Sequence, residues 1–183
     1  MSSDLPLYRQ VLGADFDRLA PAVSAFHDRQ GRAVYTGVTE VQGPQSVGAK
    51  LLALLLGTPR QSGKGPIRVE LLATPQKERW TRIFFGSTMT STLSVIDGRL
   101  VEHLGTAKLC FTLAVEDGSL QMRLACMAFL GIPCPRCLMP RIVAEESEQQ
   151  GRFCFNVEAH VALVGRVVSY RGFLEPANEE APQ

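Results

Sequence analysis

The chain has 183 residues, 45% hydrophobic and 20% charged, and its 19 Lys plus Arg nearly cancel 18 Asp plus Glu to leave a formal charge of +1. That size suits one domain with a single substantial core. The even charge speaks against nucleic acid as the main partner, since such proteins carry a basic surplus or stripe.

One domain is expected over residues 1–176, followed by a disordered tail at 177–183. The opening Met1-Ser2-Ser3-Asp4-Leu5-Pro6 lacks the positive flank and apolar run of a secretory signal. No stretch reaches the ~18 apolar residues of a membrane span. A cytoplasmic protein without a membrane span is therefore expected. Five cysteines, an odd number without an export signal, read as reduced thiols.

Leu5, Tyr8, Val11 and Leu12 fall at helical spacing, and Gly13 can end that turn. A second helical piece begins at Asp15 and carries Phe16, Leu19, Val23 and Phe26. Pro21 suits the first turn of a new helix, so a break is predicted near Ala20. Residues 32–41 alternate and are rich in β-branched side chains, which predicts the first strand. A helix is predicted over 46–56, with Ser46 as N-cap, Gly57 just past its end and Pro59 as a stop. Its run Leu51-Leu52-Ala53-Leu54-Leu55-Leu56 is apolar nearly all round, which predicts burial on more than one side.

From Pro66 onward the period changes to two, punctuated by Asp97-Gly98, Asp117-Gly118 and Gln150-Gly151 among other turn signals. Nine strands are predicted near 67–73, 78–85, 88–96, 99–104, 107–115, 119–128, 141–149, 152–162 and 166–174. The fold class is α+β: short N-terminal helices, then a long antiparallel meander that must curl to bury its apolar face. A barrel or half-barrel around the apolar helix is the expected architecture. Leu109, Phe111, Leu113 and Val115 share one face, as do Phe153, Phe155, Val157 and Ala159.

Few motifs carry chemistry. Cys134-Pro135-Arg136-Cys137 is a C-x-x-C, but the second pair or His pair of structural zinc is missing, and its proline-rich setting differs from a thioredoxin-type helix start. Ser62-Gly63-Lys64 lacks the glycine spacing and the following Ser or Thr of a phosphate loop. No G-x-G-x-x-G or G-x-S-x-G occurs, so no motif calls for a cofactor or a metal. Glu145, Glu146 and Glu148 read as a solvated strand face. The three histidines, His27, His103 and His160, are scattered and read as surface or hydrogen-bonded residues.

Trp80, Arg82 and Phe84 share a strand face, and Tyr170 lies in the last strand. Aromatic residues with a few polar groups on the concave side of a curved sheet suit either an apolar small molecule or a filled core.

The phrases Leu7-Tyr8-Arg9-Gln10-Val11-Leu12-Gly13, Leu19-Ala20-Pro21-Ala22-Val23, Gly131-Ile132-Pro133 and Tyr170-Arg171-Gly172-Phe173-Leu174-Glu175-Pro176 resemble the bacterial family called domain of unknown function 4166. The resemblance runs over nearly the whole chain. Relatives of this type stand alone or appended to nicotinamide-cofactor dehydrogenase-like domains and to membrane proteins, which implies an accessory or ligand-holding module.

Three expectations follow. The first is a binding module for a lipid-like or other small apolar molecule, held by Trp80, Arg82, Phe84, Phe111, Met122, Phe155 and Tyr170 and needing a cavity of about 300 Å³ or more. The second is a domain that docks a protein, showing an exposed apolar patch near residues 130–138. The third is an enzyme using His27, Glu102, Arg82 and Tyr170, which requires at least two of them to meet in one cleft.

Overall fold

Two-residue turns set the architecture. In the computed structural model, which describes residues 4–177, Asp97-Gly98, Asp117-Gly118 and Gln150-Gly151 take positive φ at both positions. That is the turn geometry whose twist matches the flanking strands. The strands are β1 (Gly31–Gln42), β2 (Gly63–Ala73), β3 (Glu78–Phe84), β4 (Ser87–Ile96), β5 (Arg99–Leu104), β6 (Ala107–Glu116), β7 (Ser119–Phe129), β8 (Ile132–Pro133), β9 (Arg141–Gln149), β10 (Arg152–Val161) and β11 (Gly165–Pro176).

Each long strand pairs antiparallel with its neighbours, β1 with β11 and β6 with β7, so the ten long strands form a closed barrel and β8 is a short addition beside β7. The predicted meander is this barrel. Its thinnest seam is between β7 and β9, which pair only over 120–123 with 143–146. Beyond that seam β8, in the connection to β9, pairs with the end of β7. The tail expected at 177–183 lies outside the described residues apart from Ala177, whose N–H donates to Val34 O at 2.9 Å.

Short helices close one mouth. These are α1 (Leu7–Leu12), a 3-10 turn (Gly13–Arg18) and α2 (Pro21–His27), with Pro21 in the first turn as predicted. Leu7, Tyr8, Phe16, Val23 and Phe26 are no more than 2% exposed. Backbone ties hold this plug in register: Ala20 N–H donates to Gly118 O at 2.8 Å, and Ala22 N–H to a Glu148 carboxylate oxygen at 2.6 Å. Phe26 stacks on Phe153 with ring centroids 4.1 Å apart.

The apolar helix α3 (Val47–Leu56), expected inside the barrel, instead lies across the opposite mouth. Its Ser46 cap accepts from Ala49 N–H at 3.1 Å, and Gly57 at φ 69° ends it. Ser46 Oγ donates to Val164 O at 2.7 Å beside the β10–β11 turn, so the helix starts at one rim. At the other rim, a Cβ on Gly105 would sit 2.6 Å from Leu55 O, so only glycine lets the β5–β6 turn approach the end of the helix. Burial on several sides is corrected too: Ala49 and Ala53 are fully buried, while Val47, Leu51 and Leu54 are 83%, 58% and 57% exposed. A ten-residue helix spanning a mouth has protein beneath it and nothing above.

Not all the cysteines are free thiols. Cys110 and Cys126 are direct cross-strand partners on β6 and β7 and are joined by a disulfide, a proximity that only the strand register creates. Cys134, Cys137 and Cys154 are free.

Candidate functional site

Alternation along β3 sends Glu78, Trp80 and Arg82 to the same side, into the barrel near the plug. Trp80 Nε1–H donates to Glu78 at 2.9 Å, and the Arg82 guanidinium lies 4.7 Å from the centre of the Trp80 ring. Arg82 also donates to Ser91 Oγ at 3.0 Å on β4 and stands 3.7 Å from Glu102 on β5. From β9, Glu146 bonds to Nε2 of the fully buried His27 on α2. The Tyr8 ring from α1 stacks 3.7 Å from the His27 ring, which leaves His27 Nδ1 buried without a partner among the described residues.

Three carboxylates, one guanidinium and one imidazole thus share a water-poor space, and the surroundings penalise charge. Burial raises the Glu78 pKa, with the neighbouring Glu146 adding to the rise against the opposing effects of His27 and the Trp80 N–H. Burial pushes Tyr170 up to about 12, with Glu102 and Glu146 adding and Arg82 opposing. Tyr8 is raised well above its usual range, first by burial and then by Glu146, Glu78 and Glu102. Burial works against the charge on Arg82, but its neighbours Tyr170, Glu102, Tyr8 and Glu146 outweigh that and hold its pKa raised. The cluster therefore keeps its tyrosines as neutral O–H groups and its arginine as a cation.

Above this polar floor is a cavity of about 130 Å³. Its floor is Tyr8, Trp80, Arg82, Glu102, Glu146 and Tyr170. Leu93, Leu109, Phe111, Met122 and Val168 supply apolar wall, and Leu52, Leu56 and Thr58 supply the roof under and just after α3. Thr58 Oγ1 is buried without a partner among the described residues, so the roof has one polar point.

Of the expected ligand residues, Trp80, Arg82, Phe111, Met122 and Tyr170 line this cavity, whereas Phe84 and Phe155 do not. Phe84 is core and meets Tyr170 edge-on at 5.4 Å. The Phe155 ring packs over Gly172, with Cζ 3.0 Å from where a Cβ would stand, and so fills the wall at that point. Of the expected catalytic set, Arg82, Glu102 and Tyr170 converge on the cavity, and His27 stands behind Glu146. The solvated reading of the acidic run is corrected: Glu146 is 7% exposed in the floor, and Glu148 is engaged by α2. Its signal was present in the sequence, because Glu146 shares strand parity with Ile142 and Ala144. Glu78 shares parity with Trp80 and Phe84 in the same way.

A volume of about 130 Å³ is also below the few hundred Å³ required of the expected binding module, which rules out a lipid-like ligand there and leaves room only for a much smaller molecule. The C-x-x-C lies away from this floor, in the 130–140 connection, with Cys134 half-buried and Cys137 exposed. No group of three or more His, Cys, Asp or Glu among the described residues could hold a metal ion. No helix of the described residues is long and apolar enough to cross a membrane.

The family model described as Domain of unknown function (DUF4166) matches residues 19–174, and the chain belongs to that family. None of the curated proteins matches the sequence. Among solved structures, one described as the crystal structure of Rv2717c from M. tuberculosis is similar with a TM-score of 0.45 and 11% identity, over 87% of this chain and 99% of that one.

Proposed function

We propose that this member of the DUF4166 family is a binding module for a small apolar molecule with one neutral polar group. The observation that carries the reading is the cavity between an apolar roof and a floor of Arg82, Glu102, Glu146 and two tyrosines. The size sets the ligand: about 130 Å³ is close to the ~150 Å³ apolar cavity that holds benzene in an engineered protein. The charge sets the head group. Among the side chains that line the cavity, Glu102 and Glu146 already outnumber Arg82, so an anionic head would add repulsion in a desolvated site. A hydroxyl can instead donate to a carboxylate and accept from Arg82 or a tyrosine O–H.

Calorimetric titration with phenol, benzene and benzoate tests this. Phenol is expected to bind most tightly and benzoate least, and Met122→Trp, which fills the cavity, is expected to abolish phenol binding. Absence of phenol binding to the unmodified chain, or a preference for benzoate, rejects the reading.

A catalytic use of the same cavity is the second reading, favoured by the convergence of Arg82, Glu102 and Tyr170. Chemical change of a bound ligand, lost in Glu102→Gln with binding retained, would support it, and recovery of every bound ligand unchanged would count against it.

A further inference from the structure

We propose that the α3 end of the barrel docks on an anionic lipid surface, with α3 lying along the membrane plane. This stands apart from whether the cavity is filled.

The helix has two apolar faces. Ala49, Leu52, Ala53 and Leu56 face the barrel, while Val47, Leu51, Leu54 and Leu55 recur at i, i+4, i+7 and i+8 on the outer face and are 83%, 58%, 57% and 38% exposed. The outer stripe does not stand alone. Leu163, fully exposed, is at the β10–β11 turn next to the start of α3. At the other rim Leu130 N–H donates to Thr106 O at 3.0 Å, beside the Gly105 that touches the end of α3, and Leu130 is 64% exposed. Ile132 and Leu138 follow in the same connection, 71% and 60% exposed. Apolar surface of this extent marks an interaction site.

Charge identifies the occupant. The segments that form this end, 42–66, 85–87, 103–108, 129–141 and 160–166, contain Lys50, Arg60, Lys64, Lys108, Arg136, Arg141 and Arg166 and not one Asp or Glu. Seven cations gather here in a chain whose formal charge is only +1, so the rest of the molecule is net negative. Apolar side chains ringed by cations of a single sign match the boundary of an anionic bilayer, where leucines enter the acyl region and Lys and Arg remain at the head groups. A second copy of the chain is a poor match, because a two-fold contact through this face would set the cations of one copy against those of the other.

Vesicle co-sedimentation of the full chain tests the proposal, with vesicles of phosphatidylcholine alone and of phosphatidylcholine mixed with phosphatidylserine. At low salt, binding to the mixed vesicles is expected to be at least about tenfold tighter and to weaken as salt rises. Leu51→Ser with Leu54→Ser, and separately Lys50→Glu with Arg60→Glu, should each reduce it by about tenfold or more, while Lys77→Glu at the opposite end should leave it unchanged. All these side chains are exposed, and an unchanged circular dichroism spectrum establishes that the variants fold. No binding to the mixed vesicles, equal binding to both kinds, indifference to the α3 substitutions, or a dimer in sedimentation velocity that Leu51→Ser with Leu54→Ser dissolves would each overturn the proposal.

Discussion

At the mouth closed by α1 and α2, Leu7, Phe16, Val23 and Phe26 are no more than 2% exposed, whereas of α3 itself, across the other mouth, only Ala49 and Ala53 are fully buried and Leu51 and Leu54 stand more than half exposed. Both closures are short helices, yet the first is built into the main core while the second buries Ala49 and Ala53 in a small cluster with Val167. The plug carries aromatic side chains into the barrel, so its apolar area leaves water on folding. The lid buries two alanines and the inner leucines and keeps an equal apolar face outside. Apolar composition alone therefore does not tell how much a helix contributes to stability. What it packs against decides.

The largest expected effect that sharpens this contrast is Phe26→Ala. Loss of a ring stacked on Phe153 and surrounded by Tyr35 and Trp80 should lower unfolding free energy by about 3–5 kcal/mol in denaturant titration. A loss below about 1 kcal/mol would mean that the plug is not core.

Next is Arg82→Met, which leaves Glu102 in the floor without its cation. A destabilisation of about 3 kcal/mol is expected in denaturant titration at neutral pH, and Arg82→Lys, which keeps the charge, should lose less. An equal loss in the two variants would show that packing, not charge, is responsible.

The floor should also report itself at alkaline pH. All three tyrosines, Tyr8, Tyr35 and Tyr170, have raised pKa values, and Tyr170 is pushed up to about 12. In the unfolded chain a tyrosine ionises near 10, so the stability given by neutral Tyr170 is complete below pH 10 and is lost as pH rises toward 12, about 2–3 kcal/mol in all. Ultraviolet titration of the folded protein should show Tyr8 and Tyr170 still neutral near pH 10, so that no more than one of the three tyrosines ionises there, and ionisation of two or three near pH 10 would contradict a dry floor.

The smallest effect belongs to the lid. Leu54→Ser should change stability by no more than about 0.5 kcal/mol, since the side chain already faces water.

Much of the barrel was legible in the sequence because strand period and Asp-Gly turns are local signals, and helix 46–56 was legible from Ser46 and Gly57. Closure was not, because β1–β11 pairing brings Tyr35 opposite Pro176 across nearly the whole chain. The position of α3 was misread for a physical reason: an all-round apolar helix implies burial on all sides only if the chain itself supplies the cover. The site was half legible. Trp80, Arg82 and Tyr170 announced themselves as aromatic and cationic residues in strands, but Glu146 read as a solvated charge and Glu78 was not singled out, although both share strand parity with apolar neighbours. The His27–Glu146 bond joins residues 119 positions apart, and no spacing rule reaches that far.

Hydrogen–deuterium exchange read by mass spectrometry tests the difference between the two mouths most directly. Amides of α3 should exchange at least about tenfold faster than those of α2, because local opening of the lid exposes little additional apolar surface while opening the plug exposes aromatic core. Equal protection of the two helices, or slower exchange in α3, would show that the lid is as firmly built into the core as the plug.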